Sequence, residues 1–79
     1  MKIEITNAAQ VGAIVRTVRK AQGLRQDDAA GSIGVSENFL GKVEAGAGRV
    51  QWDKLFHVLQ ELGIRMVLDL PTEVNGANG

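Results

Sequence analysis

Apolar residues recur every three or four positions in two segments of the chain, a spacing typical of helices that bury one face. The first predicted helix begins after a capping residue, Thr6 or Asn7, and ends near Gln22. The second spans about Trp52 to Leu62, and each segment stops at a glycine. The apolar positions are Val11, Ile14, Val15 and Val18 in the first helix, and Trp52, Leu55, Phe56, Leu59 and Leu62 in the second. Both segments are therefore predicted to be amphipathic helices.

Two shorter helices are predicted between these segments. One spans about Gln26 to Ile33, and Gly34 follows where the chain must turn sharply. Ser36 is a favourable N-cap for the next helix, which runs to about Glu44. Two short helices joined by a tight turn form a helix-turn-helix, the unit that lays its second helix in the DNA major groove. The sequence therefore predicts DNA binding.

The two ends of the chain show the alternating pattern of strands. Residues 2–6 alternate weakly and are predicted to form a short strand or arm (residues 1–6) before a helix-turn-helix domain over residues 7–63. Residues 64–70 alternate more clearly and stop at Pro71, and Ile64, Met66, Leu68 and Leu70 share one face. Because a single strand is not stable alone, this strand pairs either with residues 2–6 or with its copy in a second chain. The tail, residues 71–79, is predicted to be disordered.

Composition limits the remaining possibilities. The 79 residues suit one domain, and the absence of cysteine excludes disulfides and cysteine-bound zinc. No apolar run is long enough to span a membrane, so a cytoplasmic protein without membrane contact is expected. The net charge of zero argues against indiscriminate nucleic-acid binding. However, no acid lies between Ile5 and Gln26, where the cations Arg16, Arg19, Lys20 and Arg25 cluster.

The sequence offers no set of residues for catalysis, a metal or a cofactor. His57 is the one histidine, and it is predicted to lie at the surface or in an interface. Gly46 and Gly48 do not follow a strand, as a nucleotide-binding loop requires. We therefore expect a protein that is not an enzyme and binds no cofactor.

The central segment resembles the Xre/Cro family of phage-repressor helix-turn-helix proteins. The residues that carry this resemblance are Arg16, Arg19, Lys20, Gly23, Leu24, Gln26, Ala30, Gly34, Val35, Ser36, Leu40, Val43, Glu44 and Gly46. The continuation resembles the HipB-like antitoxin branch, through Val50, Gln51, Trp52, Asp53, Lys54, Leu55, Val58, Leu59, Leu62, Gly63 and Ile64. The resemblance implies a mainly α, four- to five-helix lambda-repressor-like domain that dimerises on palindromic operator DNA. It also implies a C-terminal strand that pairs across the dimer, an autoregulated operon and a HipA-like serine/threonine kinase toxin as partner.

The start and the next turn of the second short helix are predicted to read bases. These positions select Glu37, Asn38 and Lys42, which the resemblance also places at base-reading positions. Asn38 can bond adenine, Lys42 can donate to guanine, and Glu37 can accept from cytosine. An acid near phosphates is unfavourable, so an alternative role for Glu37 is to stabilise the helix N-terminus. The predicted contacts to the DNA backbone are Arg25, Gln26, Ser36, Gly41 and Arg49.

One pair of charges is assigned a structural role. The resemblance implies that Arg19 and Glu44 form a partly buried ion pair between the first and third helices. Arg19 is therefore predicted to hold the fold together and not to face DNA.

Three functions are compatible with the sequence. The leading hypothesis is a homodimeric, sequence-specific repressor that acts as the antitoxin of its operon. The alternative is a protein-interaction module that neutralises a toxin and binds DNA weakly, which the zero net charge, Glu37 and the pair Asp27–Asp28 favour. A domain used for oligomerisation alone is the third, and it rests on residues 64–70.

Overall fold

Four helices form the described part of the chain, residues 1–73 of a computed structural model. They are α1 (Ala8–Ala21), α2 (Gln26–Ile33), α3 (Glu37–Glu44) and α4 (Trp52–Glu61). The sequence predicted all four to within one or two residues at either end. The predicted disordered tail lies largely outside the described residues.

Local hydrogen bonds define where the helices begin. The Asn7 side-chain oxygen accepts from the Gln10 backbone N–H at 2.9 Å, and Ser36 Oγ accepts from the Phe39 N–H at 3.0 Å. Each bond satisfies a backbone donor that the first turn of a helix leaves free. Gly34 ends α2 with a φ of 93°, a conformation that glycine adopts without steric cost. The two caps and this glycine therefore define α1, α3 and the turn before α3.

The core consists of apolar side chains from all four helices. Its buried members are Val15, Ala29, Ala30, Ile33, Leu40, Val43, Leu55, Val58, Leu59 and Leu62. Gln22 joins the ends of the two long helices, because its Nε2 donates to the Leu62 carbonyl oxygen at 2.9 Å. The core thus holds α2 and α3 against α1 and α4.

The buried stripe of α4 differs from the predicted one. Val58 is fully buried, whereas Trp52 is 63% exposed and Phe56 is 44% exposed. The two aromatic rings lie on the flank of the helix with their centroids 5.6 Å apart. The spacing of apolar residues is compatible with both faces, and contacts with the other helices select the face that contains Val58. The prediction that Trp52 and Phe56 share the buried face was wrong.

Residues 1–73 contain no strand, although the sequence predicted one at each end of the helical domain. The Ile64 N–H still donates to the Leu59 carbonyl oxygen at 2.8 Å, as part of the ending of α4. Beyond it, the backbone of residues 65–70 makes no hydrogen bond with any described residue. A strand requires backbone hydrogen bonds to a neighbouring strand. Residues 2–6 of the same chain do not form such bonds with residues 65–70. The prediction of pairing between two chains is not tested by a single chain.

Candidate nucleic-acid interface

Helix α3 presents two chemically different faces. Leu40 is fully buried and Val43 nearly so, while Glu37, Asn38 and Lys42 are exposed. This division follows from the helical period, which places apolar positions on one side and polar positions on the other. The three residues predicted to read bases therefore lie together on the outer side of α3.

A shallow groove of about 460 Å³ runs between α2 and the outer side of α3. We call it the α2–α3 groove, and its lining residues are Gln26, Glu37, Asn38, Gly41, Lys42 and Ala45. All three predicted base-reading residues thus line one depression, together with Gln26 and Gly41. Ala45 was not predicted, since an alanine carries no signal of its own in the sequence.

Glu44 ties Gln26 to the first helix. Arg19 Nε donates to Glu44 Oε2 at 2.7 Å and Arg19 Nη2 donates to Oε1 at 2.9 Å, with both side chains less than a tenth exposed. Gln26 Nε2 donates to the same Oε1 at 3.2 Å. Arg19 Nη1 also donates to the Leu24 carbonyl oxygen at 2.8 Å, so the ion pair joins α1 and α3 and is also bonded to the segment just before α2.

The ion pair also affects the protonation of its basic member. Hydrogen bonding to Glu44 raises the pKa of Arg19 above its ordinary value, and this gain outweighs the opposing effect of burial. The ion pair therefore favours the charged form of the guanidinium.

The other predicted cations are arranged around the groove unevenly. Arg16 lines a neighbouring depression with Gln26 and Glu44. Arg25 is exposed at the start of α2, where its Nε lies 3.4 Å from an Asp27 carboxylate oxygen. Arg49 is exposed in the loop after α3 but does not line the groove, and neither does the capping residue Ser36. The structure thus brings Gln26 and Gly41 next to the residues predicted to read bases, whereas Arg25, Ser36 and Arg49 do not line the groove.

Gly12 is a positioning residue that sequence reasoning did not single out. A Cβ at this position would clash with the Val43 carbonyl oxygen and would lie 2.8 Å from the Glu44 carbonyl oxygen. The absence of a side chain therefore lets α1 approach the C-terminal end of α3 closely. A glycine inside a helix costs about 1 kcal/mol relative to alanine, and this unfavourable choice was the available signal.

His57 supports the turn that precedes α3. Its Nε2 donates to the carbonyl oxygen of Ile33, the last residue of α2, at 2.8 Å. The bond joins α4 to the end of α2 and gives this histidine a partner within the fold. In the described range 1–73, no group of three or more histidine, aspartate or glutamate side chains could hold a metal ion. None of the described helices is long and apolar enough to cross a membrane.

Comparisons with known proteins identify the family. The chain matches the helix-turn-helix domain family over residues 10–62. It is 44% identical over 73 residues to an uncharacterised helix-turn-helix-type transcriptional regulator of Sinorhizobium fredii (strain NBRC 101917 / NGR234), covering 92% of this chain and 96% of that protein.

Solved structures agree with this assignment at the level of the fold. A chain of the HipA-HipB-O2-O3 complex has a TM-score of 0.78 at 22% identity, over 90% of this chain and 100% of that chain. A chain of the HipB-O1-O2 complex has a TM-score of 0.77 at 24% identity, over 86% and 99% of the two chains. The protein therefore belongs to the helix-turn-helix family of DNA-binding transcriptional regulators, a family of regulators rather than of enzymes, and it has the fold of HipB chains.

Proposed function

We propose that this protein is a homodimeric repressor that binds a palindromic operator through α3 and regulates its own operon as an antitoxin. The observation that carries the proposal is the α2–α3 groove, where Glu37, Asn38 and Lys42 project from a capped helix of a helix-turn-helix. This combination places side chains that can read bases on an element of the size that enters the major groove.

Three exposed side chains supply the sequence-reading contacts. The Asn38 amide matches the donor and acceptor of adenine, and the Lys42 ammonium matches the acceptors of guanine. Glu37 accepts from a cytosine amino group, and its position in the first turn of α3 also compensates the helix dipole. Each contact discriminates a matching from a mismatched base by about 1–3 kcal/mol when the pairing is good.

Backbone contacts surround this centre. Gln26 and Ser36 lie at the starts of α2 and α3, where free backbone N–H groups favour phosphate. Arg25 and Arg49 add exposed positive charge, and Gly41 allows the DNA backbone to approach. These contacts set affinity and orientation, whereas the three base-reading residues set sequence preference.

The dimer is proposed to form through α4 and residues 64–70. Trp52 and Phe56 are exposed on α4, and Met66, Leu68 and Leu70 are 45%, 80% and 47% exposed. So much exposed apolar surface on a small chain is typical of an interaction site. Pairing of residues 64–70 between two copies would cover the Met66, Leu68 and Leu70 side chains. It would also supply hydrogen-bond partners for the backbone of this segment.

The proposed partner is a HipA-like serine/threonine kinase toxin. Support comes from the solved HipA-HipB-O2-O3 complex, in which a chain of the same fold is assembled with HipA. A second candidate function, toxin neutralisation with secondary DNA binding, is favoured by the exposed acids Asp27 and Asp28 near the groove. Finding a gene for such a kinase beside the gene of this protein would support either antitoxin function.

The first test is binding to the DNA immediately upstream of the protein's own gene, with a random duplex as control. We expect selective binding that persists at physiological salt. The logarithm of the affinity should fall with the logarithm of salt concentration by about 0.9 per phosphate contacted. Weak binding without preference for the upstream DNA would contradict the repressor and support the toxin-neutralising function.

Substitutions of the groove residues distinguish recognition of particular bases from general attraction between positive charge and DNA. Asn38→Ala and Lys42→Ala should reduce the preference for upstream over random DNA, each by about tenfold or more. Arg49→Ala removes the same charge as Lys42→Ala and is the matched control, because it should weaken binding to both duplexes equally. Equal losses on both duplexes for all three variants would refute the assignment of the groove.

A further substitution tests the dimer. Leu68→Asp places a charge on the apolar segment and should convert the dimer to a monomer, as measured by sedimentation equilibrium. Ala13→Asp adds the same charge at an exposed position of α1, outside the proposed interface, and should leave the dimer intact. A Leu68→Asp protein that remains dimeric would show that residues 64–70 do not form the interface.

A further inference from the structure

Residues 64–70 carry two opposite charges that have no partner among the described residues. In a strand, side chains point alternately to its two faces, so Arg65, Val67 and Asp69 share one face and the four apolar residues share the other. Arg65 and Asp69 are about 13 Å apart along a strand, too far to bond to each other. Neither forms an ion pair with any other residue of the range 1–73. Both charges are therefore available to a second molecule.

The N-terminal arm of the same chain is poorly placed to pair with this segment. Gln22, at the C-terminal end of α1, donates to the Leu62 carbonyl oxygen at 2.9 Å, so residues 64–70 leave the helices at that end. Residues 1–6 precede the opposite end of α1. The 14 residues of this helix separate its two ends by about 21 Å. A second copy of the chain, by contrast, brings an identical segment with the same unpaired backbone.

Antiparallel pairing of two copies determines which residues lie opposite one another. When Val67 lies opposite its own copy, Arg65 lies opposite Asp69 of the second copy, and the reciprocal pair forms by symmetry. The same register pairs the four apolar residues of the other face among themselves. Every residue of the segment 64–70 then faces a counterpart.

Other registers lose these charge pairs. Centring the pair on Met66 places Arg65 opposite Val67, and centring it on Leu68 places Asp69 opposite Val67. A slip of one residue turns the apolar faces of the two strands to opposite sides. Parallel pairing in register places each charge opposite its own copy, and like charges directly opposite destabilise a sheet. The register centred on Val67 is therefore the one that satisfies both charges.

We propose that Arg65 and Asp69 select a second copy of this chain as the partner of residues 64–70 and set the register centred on Val67. The two side chains are exposed in the single chain, so their pairing is screened by salt and adds little to affinity. Its main effect is on which strand pairs and in which register, because a mismatched strand brings like charges together. This inference rests on the proposed dimer and names the charges that specify it.

Reversing one charge at a time tests the complementarity. Arg65→Asp produces a segment with two acids and Asp69→Arg one with two bases, so like charges face each other in each homodimer. We expect either variant to dimerise about tenfold or more weakly than the unmodified protein, in sedimentation equilibrium at low salt. An equimolar mixture of the two should form a heterodimer of about the unmodified strength. The double variant Arg65→Asp/Asp69→Arg should restore the homodimer.

Matched controls separate these pairs from a general effect of net charge. Arg16→Asp and Asp28→Arg change the net charge equally at exposed positions of α1 and α2. We expect both to dimerise as the unmodified protein does. Equal weakening by the controls, or a double variant that stays as weak as the single ones, would overturn the role of the two charges.

A disulfide at the centre of the segment tests the register. The chain has no cysteine, so a single introduced cysteine can join only to its copy. Val67→Cys puts the thiols on directly opposite residues, whose Cα atoms lie about 4.5–5.5 Å apart, within the range of a disulfide. Met66→Cys is the control, because its copy lies about 8 Å away in this register, beyond that range. We expect mild oxidation to cross-link Val67→Cys and not Met66→Cys, and the reverse result would overturn the register.

Failure of this inference is distinguishable from failure of the proposed function. An unmodified protein that is monomeric contradicts the dimer and this inference with it. A dimer that Leu68→Asp dissociates, but that Arg65→Asp and Asp69→Arg leave unchanged, contradicts the role of the charges alone. Sedimentation and cross-linking need no DNA, so a protein that fails to recognise its upstream DNA leaves both tests valid.

Discussion

Two helical glycines, Gly12 on α1 and Gly41 on α3, differ in how closely neighbouring atoms surround them. Gly12 faces the inner side of α3, where a Cβ would clash with the Val43 carbonyl oxygen. Gly41 faces the outer side, where a Cβ would make only ordinary contacts of 3.7 Å or more with the Gln26 amide. Each costs its helix about 1 kcal/mol relative to alanine. Packing within the chain accounts for Gly12 but not for Gly41, and only Gly41 lies among the groove residues proposed to meet DNA.

The charged residues show the same contrast. On the inner side, Arg19 and Glu44 are buried and joined by two hydrogen bonds. At the start of α2, Arg25 and Asp27 form a looser pair with side chains 80% and 48% exposed. Burial turns a charge pair into a structural element, whereas exposed pairs contribute little to stability. The inner side of α3 is therefore expected to determine stability, and the outer side to determine binding.

The largest expected effect comes from breaking the inner ion pair. Arg19→Met should lower the free energy of unfolding by about 3–5 kcal/mol, because it leaves the Glu44 carboxylate buried without its partner. Chemical denaturation measures this loss. Arg25→Met is the matched control, and the exposed pair that it removes should change stability by less than about 1 kcal/mol. Similar losses in the two variants would abolish the distinction between the two pairs.

A smaller loss is expected at the close approach of α1 to α3. Gly12→Ala should lower the free energy of unfolding by about 1–3 kcal/mol, since the added carbon forces the backbones apart. Gly31→Ala is the control on α2, where a Cβ has no neighbour within 4 Å. That substitution should stabilise the protein by about 0.5–1 kcal/mol through helix propensity. Thermal and chemical unfolding of the two variants should therefore move in opposite directions.

Sequence reasoning predicted the features that depend on neighbouring residues. The bounds of α2 and α3 follow from the glycine and serine between them, because capping and positive φ act within a few residues. The polar outer face of α3 is also predictable from the sequence, because its polar and apolar residues recur with the period of a helix. The sequence thus indicated the candidate interface as well as the helix-turn-helix.

Features that depend on distant contacts were not predictable in the same way. The spacing of α4 allowed Trp52 and Phe56 to be buried, and only its packing in the fold selects Val58 in their place. The hydrogen bond between Gln26 and Glu44 joins two helices whose relative placement no local pattern specifies. For the same reason, the alternation of residues 64–70 indicates a strand but not the chain with which it pairs.

The smallest expected change in stability is that of Gly41→Ala. This variant should also show most clearly whether the outer side of α3 serves binding and not packing. Gly41→Ala should raise the free energy of unfolding by up to about 1 kcal/mol, because it restores helix propensity without a clash. If Gly41 is kept for close approach of DNA, the same variant should bind upstream DNA less tightly. Gly31→Ala, with a similar gain in stability on α2, should bind DNA as the unmodified protein does. A Gly41→Ala protein that is stabilised and binds DNA unchanged would show that the outer side of α3 does not need this glycine for DNA.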